Sequence, residues 1–248
     1  MTNSYSGKTV LITGSSRGIG AATADYFAQK GFNVVINYVS NKDKANDLKN
    51  ELEFKYNVKV LVIKCDVSNE EEVKAMYKQI KKEFGKLDVL VNNAGIAIDS
   101  TLEDKKVEDF KRILEVNLIG TYNTCKIIGM DMFKKKSGSI LNISSTNGID
   151  SFYPYSMDYD ASKAGVISLT HNFALSYAPY VRVNSIAPGW VNTEMNKELD
   201  DDYVKEECKH ILLGKFAEPE QIAMEIFHVA VESTYFNDAI IKVDGGRC

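Results

Sequence analysis

The sequence predicts a doubly wound α/β fold, in which helices cover both faces of one parallel sheet. Short apolar runs rich in β-branched residues alternate along the chain with longer segments of helical period. Runs such as Val34 to Ile36 are almost continuously apolar, which is typical of strands that are buried on both faces. The amphipathic segments between them are then the crossover helices that join parallel strands.

Seven strands are predicted, with helical segments between most of them. The predicted strands are Thr9 to Thr13, Val34 to Asn37, Val58 to Ile63, Val89 to Asn92, Ser139 to Ser144, Val181 to Ile186 and Ile240 to Val243. The clearest helical segments are Ala21 to Lys30, Lys42 to Tyr56, Glu70 to Phe84 and Gln221 to Val231.

Chain length and composition predict one globular domain that spans residues 1 to 248. No internal repeat, low-complexity tract or Pro/Gly/Ser-rich linker marks a boundary, and α/β folds commonly reach this length as a single unit. Hydrophobic residues make up 44% of the chain and charged residues 26%, an ordinary globular balance. The net charge of -4 argues against a nucleic-acid partner, because domains that bind the phosphate backbone are usually distinctly basic.

The N-terminal sequence and the cysteines predict a cytoplasmic protein without a membrane segment or a metal site. Gly14 interrupts the only apolar run near the N-terminus, so we expect no signal peptide, and no run is long enough to span a bilayer. The cysteines are scattered, without the paired spacing of zinc ligands, and are expected to be reduced thiols. They are Cys65, Cys125, Cys208 and Cys248.

A glycine-rich turn between the first strand and the first helix predicts a dinucleotide site. The strand runs into Gly14-Ser15-Ser16-Arg17-Gly18-Ile19-Gly20, after which helical period begins. Glycines at such a turn let the backbone approach a pyrophosphate, and the helix N-terminus offers free N-H groups to the anion. A tight turn without a ligand is the alternative interpretation, which the position after the first strand disfavours.

The end of the second predicted strand favours NADP(H) over NAD(H). NAD-specific proteins usually carry an acidic residue there that binds the ribose 2'-hydroxyl, but this strand ends at Asn37-Tyr38. Arg17, together with Lys42, could neutralise a 2'-phosphate through charge-assisted hydrogen bonds. The alternative is that Arg17 is a solvated surface charge and that Asn37 only caps the strand.

Two side-chain patterns are suited to proton chemistry. Tyr159 and Lys163 are four residues apart in a helical segment, so both project from one face, and the ammonium group would favour the phenolate. Ser144 and Ser145 follow the fifth strand at the edge of the sheet where α/β folds bind ligands. A hydroxyl there can donate a hydrogen bond to an oxygen that gains negative charge, although a Ser pair can also simply close a turn.

Taken together, these residues resemble the short-chain dehydrogenase/reductase family, whose domain is a Rossmann-type fold, over nearly the whole chain. The motifs that carry the resemblance are Thr13-Gly14 with Gly18 and Gly20, Asp66-Val67, Asn92-Asn93-Ala94-Gly95, Asn117, Ser145, Tyr159, Lys163, and Pro188-Gly189 through Thr193. The resemblance implies an NADP(H)-dependent oxidoreductase that acts on a carbonyl or alcohol carbon.

The same resemblance implies a role for each of these residues. Tyr159 would protonate the carbonyl oxygen, Ser145 would hold it, Lys163 would bind the nicotinamide ribose and lower the tyrosine pKa, and Asn117 would hold a relay water. Ser145 is preferred to Ser144 because it keeps the family's spacing to Gly148, although the span to Tyr159 is one residue longer than usual. The residues implied to bind the cofactor are Gly14, Ser16, Arg17, Gly18, Ile19, Gly20, Asn37, Asp66, Val67, Asn93, Ala94, Gly95, Tyr159, Lys163, Pro188, Gly189, Val191 and Thr193.

Within the family, the sequence is most similar to the 3-oxoacyl-[acyl-carrier-protein] reductases of fatty acid synthesis. That similarity implies an acyl-thioester substrate and an acidic carrier protein that docks on two basic patches. Only the patch at Lys134 to Lys136 is present, and those lysines are also expected simply to end a helix. A steroid, sugar or other small carbonyl compound is the alternative substrate, and a catalytically silent NADP(H)-binding regulator is the alternative function.

Two further expectations concern the substrate side and assembly. The segment Met195 to Leu213 is interpreted as a lid over the substrate, and Trp190 as either a pocket wall or a packing anchor. The family resemblance implies a homotetramer built from helix faces and the last strand.

Overall fold

The computed structural model describes residues 5–196 and 199–247, which contain one seven-stranded parallel sheet with helices on both faces. Every strand pairing is parallel, and the strand order is β3-β2-β1-β4-β5-β6-β7. The strands are β1 (Thr9–Ile12), β2 (Asn33–Tyr38), β3 (Val60–Lys64), β4 (Val89–Asn92), β5 (Gly138–Ile143), β6 (Val181–Pro188) and β7 (Ile240–Val243). The predicted fold class is confirmed.

The helices of the described residues connect and cover these strands. They are α1 (Gly18–Gln29), α2 (Lys42–Tyr56), α3 (Glu70–Phe84), α4 (Val107–Leu114), α5 (Gly120–Lys134), α6 (Met157–Tyr177), α7 (Asp201–Lys209) and α8 (Pro219–Phe227). Two π-helical turns, Glu115–Ile119 and His228–Glu232, follow α4 and α8, and short 3-10 turns lie at Thr146–Gly148, Pro154–Ser156 and Glu194–Asn196.

Helix ends agree with the sequence where local signals are strong. α2 and α3 begin and end at the predicted residues. The side chain of Asn69 accepts hydrogen bonds from two free N-H groups of the first turn of α3, and Gly85, at φ +76°, follows its last residue. α1 begins at Gly18 rather than at Ala21, because the glycine-rich loop itself supplies the first helical turn.

The segment predicted to be a lid contains a helix that the sequence did not separate from its surroundings. α7 begins after Asp200, whose carboxylate accepts hydrogen bonds from the N-H groups of Asp202 and Tyr203. None of its residues is buried. Lys197 and Glu198, which belong to the same segment, lie outside the described residues.

Two apolar cores, one on each face, hold the sheet between its helices. One combines β-strand side chains with α1, α2 and α8, where Phe27, Phe32 and Phe227 meet edge to face at centroid distances of 4.9–6.0 Å. The other joins the opposite side chains of the strands to α3, α5 and α6. Because both faces are covered, the surface available for ligands lies at the strand ends.

The order of the strands locates the ligand crevice. β1 pairs with β2 on one side and with β4 on the other, so the chain direction across the sheet reverses at β1. Open α/β sheets bind ligands outside the carboxyl ends of the strands at such a reversal. The glycine-rich loop follows β1 there, and Asn93 to Gly95 follow β4.

The cysteines of the described residues are free thiols. Cys65 and Cys125 are buried free thiols and Cys208 is a half-buried one, while Cys248 lies outside the described residues. Across residues 5–196 and 199–247, no helix has both the length and the apolar character needed to cross a membrane.

Candidate active site

Two adjoining cavities open at the carboxyl edge of the sheet and share the side chain of Tyr159. The first, called here the glycine-loop cavity, has a volume of about 250 Å³ and is lined by the loop after β1, the end of β2, Asn93 to Ile96, Lys163 and Thr193. The second, called the serine cavity, has a volume of about 230 Å³ and is lined by Ser145, Asn147, Trp190 and Arg247, among others. Tyr159 therefore stands between a glycine-lined cavity and a smaller one with many polar groups.

Glycines are required in the loop because the backbone there passes against β4. Gly14 has φ +62°, and a Cβ atom on it would lie 2.8 Å from the Cα of Ala94. A Cβ atom on Gly20 would lie 2.6 Å from Nδ2 of Asn93 and 2.7 Å from the carbonyl oxygen of Gly14. The first turn of α1 consequently presents bare backbone to the glycine-loop cavity, as an anionic pyrophosphate needs.

Asn93 holds the two chain segments of this cradle together. Its side-chain amide donates to the carbonyl oxygens of Thr13 and Gly14, at 2.9 and 3.1 Å. The hydroxyl of Thr13 accepts the backbone N-H groups of Asn93 and Ala94, both at 3.0 Å. The predicted cofactor residues Asn93, Ala94 and Gly95 are thus brought against the glycine-rich loop.

Asn37, predicted to bind the cofactor, lies beneath the glycine-rich loop, and its direct contact with the cofactor stays a prediction. Its side chain is 1% exposed, accepts the N-H of Gly14 at 3.0 Å and donates to the carbonyl oxygen of Cys65 at 2.9 Å. Because both ends of the amide are engaged inside the protein, Asn37 supports the loop from below and does not line the cavity. The residues that line it at the end of β2 are Tyr38, Val39, Ser40 and Asn41.

The second strand ends without a carboxylate, as the sequence indicates. Arg17 is exposed and lines the glycine-loop cavity together with Ser16, Gly18 and Ile19. The lining also includes Glu194, whose carboxylate lies 4.0 Å from Nζ of Lys44. Lys42 begins α2 and is exposed. Of these three cations only Arg17 lines the cavity, so it is the best candidate to bind the 2'-phosphate of NADP(H).

Asp66 and Val67 are not among the described residues that line either cavity. The carboxylate of Asp66 accepts from Arg112 at 2.9 Å and from the Ser68 hydroxyl at 2.6 Å, which lowers its pKa against the opposing effect of burial. Val67 is 4% exposed, and a Cβ atom on Gly120 would come within 2.5 Å of it. The contact with adenine expected of these two residues stays a prediction.

Ser144 and Ser145 point in different directions. The Ser144 hydroxyl lies 2.7 Å from that of Ser185 and 3.1 Å from the carbonyl oxygen of Ile186, so it binds β6. Ser145 lines the serine cavity, where its Oγ accepts the N-H of Asn147 at 3.2 Å. Tyr159 lines the same cavity. Only Ser145 of the pair faces the cavity with Tyr159.

Gly148 explains how the serine turn can lie against α6. A Cβ atom at this position would be 2.6 Å from the carbonyl carbon of Lys163 and 2.7 Å from the backbone nitrogen of Ala164. The turn Thr146–Gly148 therefore contacts the helix backbone directly. This contact places Ser145 beside Tyr159 although fourteen positions separate them in the sequence.

Lys163 and Tyr159 lie on one face of α6, as predicted. Nζ of Lys163 donates to the carbonyl oxygen of Ile143 at 2.8 Å and lies 5.3 Å from the centroid of the Tyr159 ring. Burial lowers the pKa of Lys163 to about 8. Burial also raises the pKa of Tyr159 to about 12, and the nearby Ser145 hydroxyl opposes that rise. Desolvation therefore dominates the tyrosine pKa in this structure, and its lowering by Lys163 stays a prediction.

Asn117 lies in the π-helical turn after α4 and is almost fully buried. Its Oδ1 accepts the N-H of Ile96 at 2.8 Å, and its Nδ2 donates to the carbonyl oxygen of Ile96 and to Oγ of Ser162, both at 3.0 Å. The Asn117 carbonyl oxygen accepts the Thr121 hydroxyl at 2.8 Å. Asn117 thus ties the loop after β4 to α6, and its relay of a water molecule stays a prediction.

Of the residues predicted around β6, Gly189 lines the serine cavity and Thr193 the glycine-loop cavity. Pro188 ends β6, and Val191 is 4% exposed in the core. Trp190 is both a pocket wall and a packing anchor, because it lines the serine cavity and stacks on Phe216 at 5.3 Å.

Sequence reasoning missed several residues of the serine cavity. Asp99 and Ser156 line it and are hydrogen bonded to each other. Arg247 also lines this cavity. Glu207 does not line it, but its Oε2 lies 2.8 Å from Nη2 of Arg247. Only the Gly245-Gly246 pair could have marked Arg247, since such a pair predicts a sharp turn before it.

This chain is similar in sequence and in structure to known dehydrogenases and reductases. Residues 8–204 match the family model described as short chain dehydrogenase. The 3-oxoacyl-[acyl-carrier-protein] reductase FabG of Thermotoga maritima is 38% identical over 242 residues, which are 97% of each chain. Among solved structures, levodione reductase superposes with a TM-score of 0.92 at 28% identity, covering 98% of both chains. ElxO with NADP bound has a TM-score of 0.88 at 33% identity, covering 96% of this chain and 98% of that one.

Proposed function

The chain belongs to the short-chain dehydrogenase/reductase family, and on that premise we propose that it is an NADPH-dependent reductase of 3-oxoacyl thioesters. Its membership makes it an oxidoreductase that acts on CH-OH groups or the corresponding carbonyls. The observation that carries the proposal is the position of Tyr159 between the glycine-loop cavity and the serine cavity, with Ser145 lining the latter beside it. The relatives named 3-oxoacyl-[acyl-carrier-protein] reductase supply the substrate class.

The residues of the glycine-loop cavity fit a dinucleotide. Side chains at Gly14 and Gly20 would collide with the chain, so the backbone of the loop stays bare toward the cavity. The N-terminus of α1 would hold the pyrophosphate, and Lys163 the ribose next to nicotinamide. Arg17, with no acidic residue at the end of β2, supports NADP(H). The cofactor supplies the hydride when bound.

The chain's own residues would handle the proton. Tyr159 donates its hydroxyl proton to the carbonyl oxygen of the substrate as that oxygen gains charge. Ser145 donates a hydrogen bond to the same oxygen and so stabilises the transition state more than the ground state. Asn117 positions Ile96 and the adjacent Gly95, whose Cβ position would lie 3.5 Å from Nζ of Lys163.

Among the described residues, a carrier protein would find one of the two expected basic patches, at Lys134 to Lys136. Lys134 ends α5, Lys135 is paired with Asp131 at 2.8 Å, and Nζ of Lys136 lies 5.2 Å from the centroid of the Tyr180 ring. The guanidinium of Arg182, near the expected second patch, donates to backbone carbonyls that include Val229 and Ala230. We therefore propose that carrier docking, where it occurs, uses Lys134 to Lys136.

We propose a homotetramer whose interfaces use exposed apolar side chains of α5 and α6 and the edge strand β7. Tyr122 and Met130 of α5 are 40% and 44% exposed, and Leu175 of α6 is 76% exposed. β7 is an edge strand of the sheet. Light scattering should therefore give a mass above that of one chain, and a monomer would contradict the proposal.

The proposed function is tested by following NADPH absorbance with acetoacetyl-CoA, in parallel with NADH. We expect NADPH-dependent turnover that falls at least about 100-fold in Tyr159→Phe. Tyr155→Phe is the matched control, because Tyr155 lies in the same region, is 49% exposed and should leave turnover unchanged. Tight NADPH binding without turnover of the thioester would reject the substrate class and retain the cofactor.

A small polar carbonyl compound is the second candidate substrate. The serine cavity is small, and many of its lining groups are polar. A long acyl chain would need an apolar channel in place of these groups. Turnover of a cyclic diketone or a sugar ketone in the same assay, in the absence of thioester turnover, would favour this class.

A further inference from the structure

The serine cavity contains a cation that the proposed proton chemistry does not use. Arg247 lines the cavity that also contains Ser145 and Tyr159, and its side chain is 26% exposed. Its charged contact among the described residues is with Glu207, at 2.8 Å from Nη2 to Oε2. A guanidinium carries five N-H donors, so a single contact of this kind leaves donors for a ligand.

A tight turn delivers Arg247 to this cavity. After β7, Gly245 and Gly246 adopt φ +68° and +78°, which glycine tolerates best. Their carbonyl oxygens accept the N-H groups of Leu213 and Leu212, at 3.1 and 3.0 Å. A Cβ atom on Gly245 would lie 2.9 Å from Cγ2 of Ile211, so a side chain there would displace the turn. The turn therefore packs against the segment after α7, and the next residue, Arg247, lines the serine cavity.

Glu207 orients the guanidinium and is itself held by Trp190. The indole N-H of Trp190 donates to Oε2 of Glu207 at 2.7 Å, the same oxygen that contacts Arg247. Trp190 is fixed in turn by stacking on Phe216, with an angle of 10° between the ring planes. The position of Arg247 thus depends on a chain of contacts that begins in the packed interior.

The charges around Arg247 do not require an anionic ligand, so a neutral acceptor oxygen suffices. The carboxylate of Asp99 also lines the cavity, and that of Glu207 lies beside Arg247, so the cavity has no excess of positive charge. The oxygen of a carbonyl group accepts a hydrogen bond from a guanidinium without a net charge of its own. The volume of about 230 Å³ holds the reacting end of a substrate rather than a long chain.

We propose that Arg247 is a substrate-binding residue, which donates a hydrogen bond to a second, acyl oxygen of a dicarbonyl substrate. This inference rests on the proposed function, in which the reacting carbonyl lies at Ser145 and Tyr159. The acyl oxygen can belong to a thioester, where it is neutral, or to a free carboxylate, where it is charged, because each presents an acceptor to the guanidinium. Glu207 is a positioning residue that acts through Arg247.

The test compares three substrates in the wild type and in Arg247→Met, Arg247→Lys and Glu207→Gln. Acetoacetyl-CoA and acetoacetate carry the second oxygen, and 2-pentanone has a similar carbon chain without it. We expect Arg247→Met to lower kcat/KM about 10- to 100-fold for the dicarbonyl substrates and to leave 2-pentanone nearly unchanged. Arg247→Lys should recover part of the loss, and Glu207→Gln should show a smaller one. Lys215→Gln, an exposed charge outside this cavity, is the matched control.

The outcomes separate the inference from the proposed function. A loss confined to acetoacetate would assign the oxygen to a carboxylate, and a loss with both dicarbonyls would include thioesters. Equal losses with all three substrates, or no loss, would overturn the role of Arg247. Binding is also measured calorimetrically with NADPH-loaded Tyr159→Phe enzyme. Binding of acetoacetate that disappears in Tyr159→Phe/Arg247→Met would retain this inference even if the wild type reduced none of the compounds, whereas binding that persists would overturn it.

Discussion

Lys105 forms a buried ion pair with Asp158, the residue directly before Tyr159 in the sequence. Nζ of Lys105 lies 3.1 and 3.0 Å from the two carboxylate oxygens and donates to the carbonyl oxygen of Ile98 at 2.7 Å. The side chains are 6% and 0% exposed. Asp158 also accepts the N-H of Tyr159 at 3.0 Å. The pair therefore fastens the loop that carries Asp99 to the N-terminus of α6.

Removing the lysine should destabilise the fold strongly. Lys105→Met leaves the carboxylate of Asp158 buried without a partner, and we expect the free energy of unfolding to fall by about 3–5 kcal/mol. The double variant Lys105→Met/Asp158→Leu removes both charges and should recover much of that loss. Urea denaturation measures both effects. A single variant within about 1 kcal/mol of the wild type would mean that the carboxylate is not buried in solution.

The two serines after β5 should differ sharply in their effect on turnover. Ser145→Ala removes the hydroxyl that faces Tyr159, and we expect kcat to fall about 100- to 1,000-fold. Ser144→Ala removes contacts to β6, so it should lower stability and leave most of the turnover. Steady-state kinetics with acetoacetyl-CoA, together with a melting curve for each variant, decides between them. The reverse order of effects would assign the catalytic role to Ser144.

Arg17 should distinguish the two nicotinamide cofactors. If its exposed guanidinium binds the 2'-phosphate, Arg17→Ala should raise the KM for NADPH about fivefold and leave that for NADH unchanged. The size of the effect is modest because an exposed ion pair is screened by solvent. A parallel change for both cofactors would indicate that the substitution disturbs the loop and not phosphate recognition.

The pH dependence of stability should report the burial of Lys163. Its pKa in the folded chain is lowered to about 8 from the ordinary 10.5, so between these values the unfolded state binds more protons. The contribution of Lys163 to the free energy of unfolding therefore rises with pH above about 8. Relative to Lys163→Met, the wild type should gain about 2 kcal/mol between pH 7 and pH 10. Denaturation curves that stay parallel over this range would show that the lysine is solvated.

Most helices and strands were predicted because their apolar periodicity and end signals lie within a few neighbouring residues. α2, α3, β4 and β7 have the bounds that periodicity and end signals indicate. α7 was not separated from its neighbours, since it has no buried face to produce an apolar period. Ser145, Tyr159 and Lys163 were predicted from the family resemblance of the combined motifs, and the structure brings them to one end of the sheet.

The sequence by itself determined the succession of strands and helices along the chain and the glycine-rich loop, and it predicts the proton-handling side chains. These depend on backbone conformation and on residues a few positions apart. Only the tertiary structure decided which side chains face the cavities. Asn37 points into the protein because Gly14 and Cys65 offer it partners there, and the following residues line the cavity in its place. Arg247 reaches the serine cavity, and Lys105 reaches Asp158, through contacts across long stretches of chain, which no local pattern encodes.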